Sequence, residues 1–353
     1  MGSAENQREV PRLEQPPTTG GSYVIPQLEG EVISIPGSKS VFRILTSAVQ
    51  TDDTISVFSS GGALADAPGF HHHNEAHDVF IVTKGFVKLW NGDKCKIMGP
   101  GDFAYVPPGI IHNPQLLGPS TETFGLITPA SWIDFFRHVS EPYGGIHYPE
   151  SDDRNLAALL IPKVMAAKGR FDVHFHPHHV GAPVSEWDAD DETLPDGCSP
   201  YYLRANKGPR WLLGGVLVRP MAATRQTGGR FAVASVEGSG RLEAGNPFAR
   251  GVTFPKTHHC LAVLEGVLVV EVEGAKAVEV REGETVFVAA GERFALRFGS
   301  KFVRAWSFTS GDGVEAVVMG AGKLLKGVVL PDEADEVDEE RLKSVCEGLG
   351  VLL

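Results

Sequence analysis

Two stretches of this chain repeat each other at a nearly fixed distance. Gly85-Phe86-Val87-Lys88-Leu89-Trp90 is echoed by Gly266-Val267-Leu268-Val269-Val270-Glu271, 181 residues on. Gly101 through Gly109 is echoed by Gly283 through Gly291, 182 residues on. A constant offset across two separate motifs marks an internal duplication. Both copies are built of short runs rich in Val, Ile, Phe, Thr and Tyr, split by Gly, Pro and Asn turns. The 41 Gly and 24 Pro in 353 residues suit many short strands, and the length suits two domains. The expected architecture is all-β, two units in tandem with a few short helices.

The expected boundaries follow from where the pattern starts and stops. Residues 1–22 read as a flexible N-terminal arm and 23–145 as the first unit. Residues 146–208 read as an interdomain linker or lid, ending in a strand that leads into the second unit. Residues 209–330 form that second unit, and 331–353 carry a C-terminal helix. Short helices are predicted at Ser131–Val139, capped by Ser131, at Asp153–Lys168, and at Asp338–Glu347, stopped by Gly348. The string His174-Phe175-His176-Pro177-His178-His179 reads as an exposed turn, with a lid or a second metal site as the sharper alternatives. Trp90, Trp132 and Trp211 read as core residues.

The formal net charge of −12 argues against nucleic acid or an anionic membrane as partner, since both need a positive surface. No stretch approaches the roughly 18 apolar residues of a membrane span. Cys95, Cys198, Cys260 and Cys346 show no metal or redox spacing and read as reduced, structural thiols. With no apolar signal core and no N-glycosylation sequon, the expected location is cytoplasmic.

The chemistry concentrates in the first copy. On a strand, residues i and i+2 share a face, so His71 and His73 point one way and His72 the other. Asp78 opens the next apolar run. The turn Pro107-Pro108-Gly109 sends the chain back with His112 toward the first two histidines. Three imidazoles and a carboxylate suit one divalent transition metal (Fe, Ni, Cu, Mn, Co or Zn) with an open position. Glu75 and His77 read as solvated side chains at the rim.

His71, His73, Asp78 and Gly85, followed by Gly101, Pro107, Gly109 and His112, resemble the two sequence motifs of the cupins. That resemblance implies a small jelly-roll barrel, and the duplication then implies two of them, a bicupin. Within bicupins the chain is similar to the fungal quercetin 2,3-dioxygenase group, over most of residues 22–325. The supporting segments include His71–Phe80, Thr121-Glu122, Gly125-Leu126-Ile127 and Pro200-Tyr201-Tyr202-Leu203. The resemblance implies metal in the N-terminal barrel alone, O2 as cosubstrate, a flavonol-like or polyketide phenolic substrate, fungal secondary metabolism and a homodimer. It also implies that Asp78 binds the metal, takes the proton from a substrate hydroxyl, or does both. Phe80, Pro114 and Ile127 would line the substrate pocket.

Three departures matter. The glycine that opens the first motif is absent. The family's carboxylate is Glu, whereas Asp78 is shorter by one methylene. The family's aromatic after the last histidine is Pro114 here. In the second copy, Val252, Phe254, His259 and Phe294 stand where His71, His73, Asp78 and His112 stand in the first, so that barrel reads as structural. The leading expectation is a metal- and O2-dependent ring-cleaving dioxygenase, with Asp78 as catalytic residue and carbon monoxide as a product. The alternatives are a non-oxidative metal cupin (isomerase, cyclase or lyase) and a non-catalytic bicupin.

Overall fold

The computed structural model describes residues 8–64 and 68–353. Residues 1–7 of the expected arm and 65–67, ahead of the histidine string, lie outside the described residues. The chain divides into two compact units, each rich in antiparallel strands. One comprises 28–208 with 225–228; the other comprises the chain up to Gln27, 209–224 and 229–353.

In the first unit the strands Glu31–Ser34, Ser40–Ile44, Ser56–Gly62, His112–Thr128, His77–Asn91, Phe103–Val106 and Tyr201–Leu203 lie side by side. Two long strands, His77–Asn91 and His112–Thr128, pair along almost their whole length. Their register shifts between Leu117 and Glu122, and such an irregularity bends a strand pair and re-aims its side chains. The bend lets one pair serve both faces of a jelly roll. Ile33, Ile44, Phe58, Ile127, Ile133 and Val139 bury one part of its core, and Val82, Val87, Leu89 and Met98 another.

The second unit stacks an eight-stranded sheet and a four-stranded one. Val218, Val236, Phe248, Leu261, Val270, Val286 and Leu296 belong to a large apolar cluster in its core. The duplication is visible in the backbone. Gly85 and Gly266 have φ of +69° and +78°, and Gly101 and Gly283 have +88° and +85°. These are left-handed turns that side chains with a Cβ resist, which is why the glycines recur.

Several sequence expectations change. The described part of the arm is structured. Arg8–Glu9 pairs with Ala275–Lys276, Tyr23–Ile25 pairs with Thr285–Phe287, and Val10 and Val24 are buried. The segment read as a linker belongs to the first unit. Lys96 is fully buried and meets the Asp191 carboxylate at 2.8 Å, which ties the acidic loop down. Ser131 caps nothing: a 3-10 turn Ala130–Ile133 precedes the helix Asp134–Val139, and the Ser131 N–H bonds Asp53. The expected helix at 153–168 covers Leu156–Ala166, capped by Asn155. The last helix, Glu339–Leu349, runs through Gly348 and stops at Gly350, with φ of +69°. Among the described residues no helix is long and apolar enough to cross a membrane.

Candidate metal centre

His71 lies directly across from His112 on neighbouring antiparallel strands, and His73 follows two residues on. Their rings converge, with centroids 4.3 Å apart for His71 and His112 and 5.2 Å from His73 to each. One nitrogen from each of the three lies within 4.8 Å of the others. Among the described residues this is the only such triad. Asp78, near the start of its strand, sits between Val106 and Ile127. Its Oδ2 is 3.1 Å from Nε2 of His73 and 3.0 Å from Nε2 of His112.

The far side of each ring decides what the near side can do. Nδ1 of His71 is 2.8 Å from the Gly69 carbonyl, that of His73 2.5 Å from the Asp172 carbonyl, and that of His112 3.0 Å from the Ile110 carbonyl. A carbonyl only accepts, so each Nδ1 must carry the ring proton. In a neutral ring Nε2 is then a bare lone pair, the arrangement metal-binding imidazoles favour. Nε2 of His73 and of His112 is buried and makes no hydrogen bond of acceptable geometry.

Lone pairs facing a carboxylate repel unless positive charge joins them. Burial works against a charged Asp78, but His73 and His112 outweigh it and hold the carboxyl well below its usual range. Burial also disfavours a charged His73, yet Asp78 prevails and raises its proton affinity. Burial, then the neighbouring His112 and His73, push His71 well below the ordinary histidine value. The cluster therefore draws a cation to one point, and its imidazole and carboxylate donors fit a divalent transition metal.

A cavity of about 180 Å³ opens on this point, with His71, Asp78 and His112 in its wall. The predicted pocket residues Phe80, Pro114 and Ile127 all line it, with the Phe80 ring 6.4 Å from that of His112. Phe42, Phe58, Trp132, Phe136 and Phe175 add aromatic surface, and Ser38, Ser40, Ser60 and Thr123 add hydroxyls. Among the described residues no Lys or Arg lines it. Gly125, opposite Phe58, leaves room for that ring: a Cβ there would stand 2.3 Å from Phe58 Cζ. Gly125→Ala should displace the ring at an overpacking cost of about 1–3 kcal/mol, read by chemical denaturation, with metal content unchanged.

Some functional neighbours escaped the sequence. His77 is buried, not solvated, and its Nδ1 lies 2.7 Å from the Tyr105 hydroxyl. Trp132 is not merely a core residue, since it packs edge-on against His73 at 4.7 Å and lines the cavity. His174–Phe175 is not a free turn but a strand paired with His71–His72, and Phe175 closes over the cavity. Only the fixed HxH alternation in both segments could have hinted at that pairing.

In the second unit Val252 pairs with Phe294 as His71 does with His112. His259 sits between Val288 and Thr309, the position of Asp78. Neither nitrogen of this buried ring makes a hydrogen bond of acceptable geometry, nor does Oε2 of the buried Glu315. A Cβ on Gly313 would meet His259 Nε2 at 2.9 Å and Glu315 Oε2 at 2.8 Å, so both atoms face one gap. Burial lowers the His259 pKa to about 3 and raises that of Glu315 to about 7.

Comparison with known proteins agrees with this picture. The cupin domain family model matches residues 63–122. Quercetin 2,3-dioxygenase of Bacillus subtilis (strain 168) is 24% identical over 216 residues, covering 61% of this chain and 62% of that protein. Quercetin 2,3-dioxygenase of Aspergillus japonicus is 22% identical over 210 residues, covering 53% and 60%. The chain thus matches about three fifths of each curated relative's length. A Trp-to-Tyr variant of oxalate decarboxylase from Bacillus subtilis superposes with a TM-score of 0.51 at 14% identity, over 84% of this chain and 80% of that one. At such identity the superposition speaks for the fold. With the duplicated jelly roll and the histidine register, these matches support a place in the cupin superfamily, with a cupin domain at residues 63–122.

Proposed function

We propose that this chain is a metal- and O2-dependent dioxygenase that cleaves a ring of a flavonol-like or polyketide phenolic substrate. The carrying observation is the cavity: aromatic and aliphatic walls, a few hydroxyls, and a cation-seeking cluster at its inner end. A planar phenol fits those walls with its hydroxyl toward Asp78. A small dicarboxylate such as oxalate would find no Lys or Arg among the described lining residues to balance its charge.

His71, His73 and His112 would hold the ion, with Asp78 as a further ligand or as acceptor of the substrate's hydroxyl proton. When bound, a divalent metal supplies Lewis acidity and electron transfer between an electron-rich substrate and O2. The chain's own part is to orient and to exclude water. Phe80 and Phe175 flank the cluster, and the hydroxyl pairs Ser38–Ser40 and Ser60–Thr123, at 2.8 and 2.7 Å, satisfy each other and leave the walls weakly polar.

The test is oxygen uptake and carbon monoxide release by metal-loaded protein with a panel of flavonols and hydroxy-polyketides. The expected result is uptake of one O2 per substrate with at least one panel member. Turnover that persists under strict anaerobiosis would instead favour a non-oxidative metal cupin. That second reading draws on Asp78 standing where the resembled enzymes carry Glu.

A further inference from the structure

Asp172 lies about a hundred residues beyond the histidine string, in the segment read as a linker, yet it holds that string at four points and Trp132 at a fifth. Its Oδ1 accepts the N–H of Asn74 at 2.8 Å, and its Oδ2 accepts those of Glu75 at 2.8 Å and Ala76 at 3.2 Å. Its main-chain carbonyl accepts Nδ1–H of His73 at 2.5 Å and Nε1–H of Trp132 at 2.8 Å. Residues 74–76 are the turn between His73 and the strand that carries Asp78. One residue thus clamps the turn between two members of the cluster and fixes the tautomer of one of them. Val173 and Phe175, just before and within the short strand that follows it, line the cavity.

We propose that Asp172 is a positioning residue for the metal centre: its carboxylate sets the 74–76 turn, and that turn and its carbonyl together aim His73 at the ion. This rests on reading His71, His73 and His112 as metal ligands. The carboxylate is needed because all three partners are donors. An amide in its place turns an NH2 toward at least one backbone N–H, which the turn must escape by moving. Asp172→Asn keeps the carbonyl but moves the turn that aims His73 at it, and disturbing an outer partner of a metal-binding histidine typically weakens metal binding roughly 10–100-fold.

The experiment titrates Co(II) against a chelator, without substrate or O2, for the wild-type chain, Asp172→Asn and a control. The control is Asp338→Ala, which removes the cap of the last helix in the other unit and lowers stability without touching the cluster. Metal-free samples are read in parallel by 15N NMR of the imidazoles. The proposal expects Co(II) affinity to fall roughly 10–100-fold in Asp172→Asn, with a changed Co(II) visible spectrum and a disturbed His73 tautomer signal. It expects Asp338→Ala to bind as the wild type does. An unchanged affinity in Asp172→Asn, an equal loss in the control, or no Co(II) binding by the wild type would each overturn it. Failure of the dioxygenase reading would leave the affinity difference standing, so the two fail separately.

Discussion

Replacing His112 with alanine is expected to strip the chain of its metal and of its turnover. His112 supplies one of three converging nitrogens and one of the two imidazoles facing Asp78. Losing a direct ligand should cost more than the roughly 100-fold that loss of an outer partner can cost. The metal-free fold should suffer as well, because Asp78, 5% exposed, keeps only His73 as its facing partner. Losing one of two partners of a buried charge costs on the order of 1–3 kcal/mol. Elemental analysis after gel filtration, with thermal melting of the metal-free chain, reads both effects. His72→Ala is the contrast: that ring points away from the cluster and bonds His176 at 2.6 Å, so its removal should leave metal content intact. Full metal occupancy in His112→Ala would end the three-histidine account.

The second large effect concerns pH and the other unit. Glu315 has its pKa raised from 4.5 to about 7, so folding gains from its bound proton below pH 4.5 and loses that gain as pH rises to about 7. His259 has its pKa lowered from 6.5 to about 3, so its neutral ring favours the fold above pH 6.5 and that contribution is lost as pH falls toward 3. Between pH 4.5 and 6.5 the folded pair carries one proton on Glu315 and the unfolded pair carries one on His259. The two slopes cancel, and the pair gives a plateau. Each single variant uncovers one slope of about 1.4 kcal/mol per pH unit. Relative to wild type, His259→Phe should lose about 3 kcal/mol as pH rises across that window, and Glu315→Gln should gain about as much. Urea denaturation at a series of pH values measures this. Variants whose curves run parallel to the wild type would show that the two groups do not titrate as placed.

The cluster was legible because its determinants are local. Alternation fixes His71 and His73 on one face, and Gly101, Pro107 and Gly109 fix the turn that returns His112. The same turn glycines made the duplication readable, and Val252, Phe254 and Phe294 told that the second copy had lost its ligands. What escaped was what depends on pairing distant in the chain. Nothing near Asp172 announces that its carboxylate will cap residues 74–76, and nothing in Tyr23–Ile25 says which strand it will join. His77 looked solvated beside charged neighbours, and only the approach of Tyr105 shows why it is buried. The helix end was misplaced by two residues because Gly348 tolerates a helical turn and Gly350 supplies the left-handed one.

The pairing of Tyr23–Ile25 with Thr285–Phe287 also sets an order of events during synthesis. Residues 28–208 can complete their jelly roll while the ribosome is still making the rest, since domains generally fold as units as they emerge. Tyr23–Ile25 must wait for a partner translated more than 250 residues later. Until it docks, the strand Thr285–Val288 has a free edge, open to pairing with another chain. Topologically the unit that holds the histidine cluster is an insertion within the other unit. A fragment begun at Pro209 would therefore be a sheet missing a strand, not an independent domain.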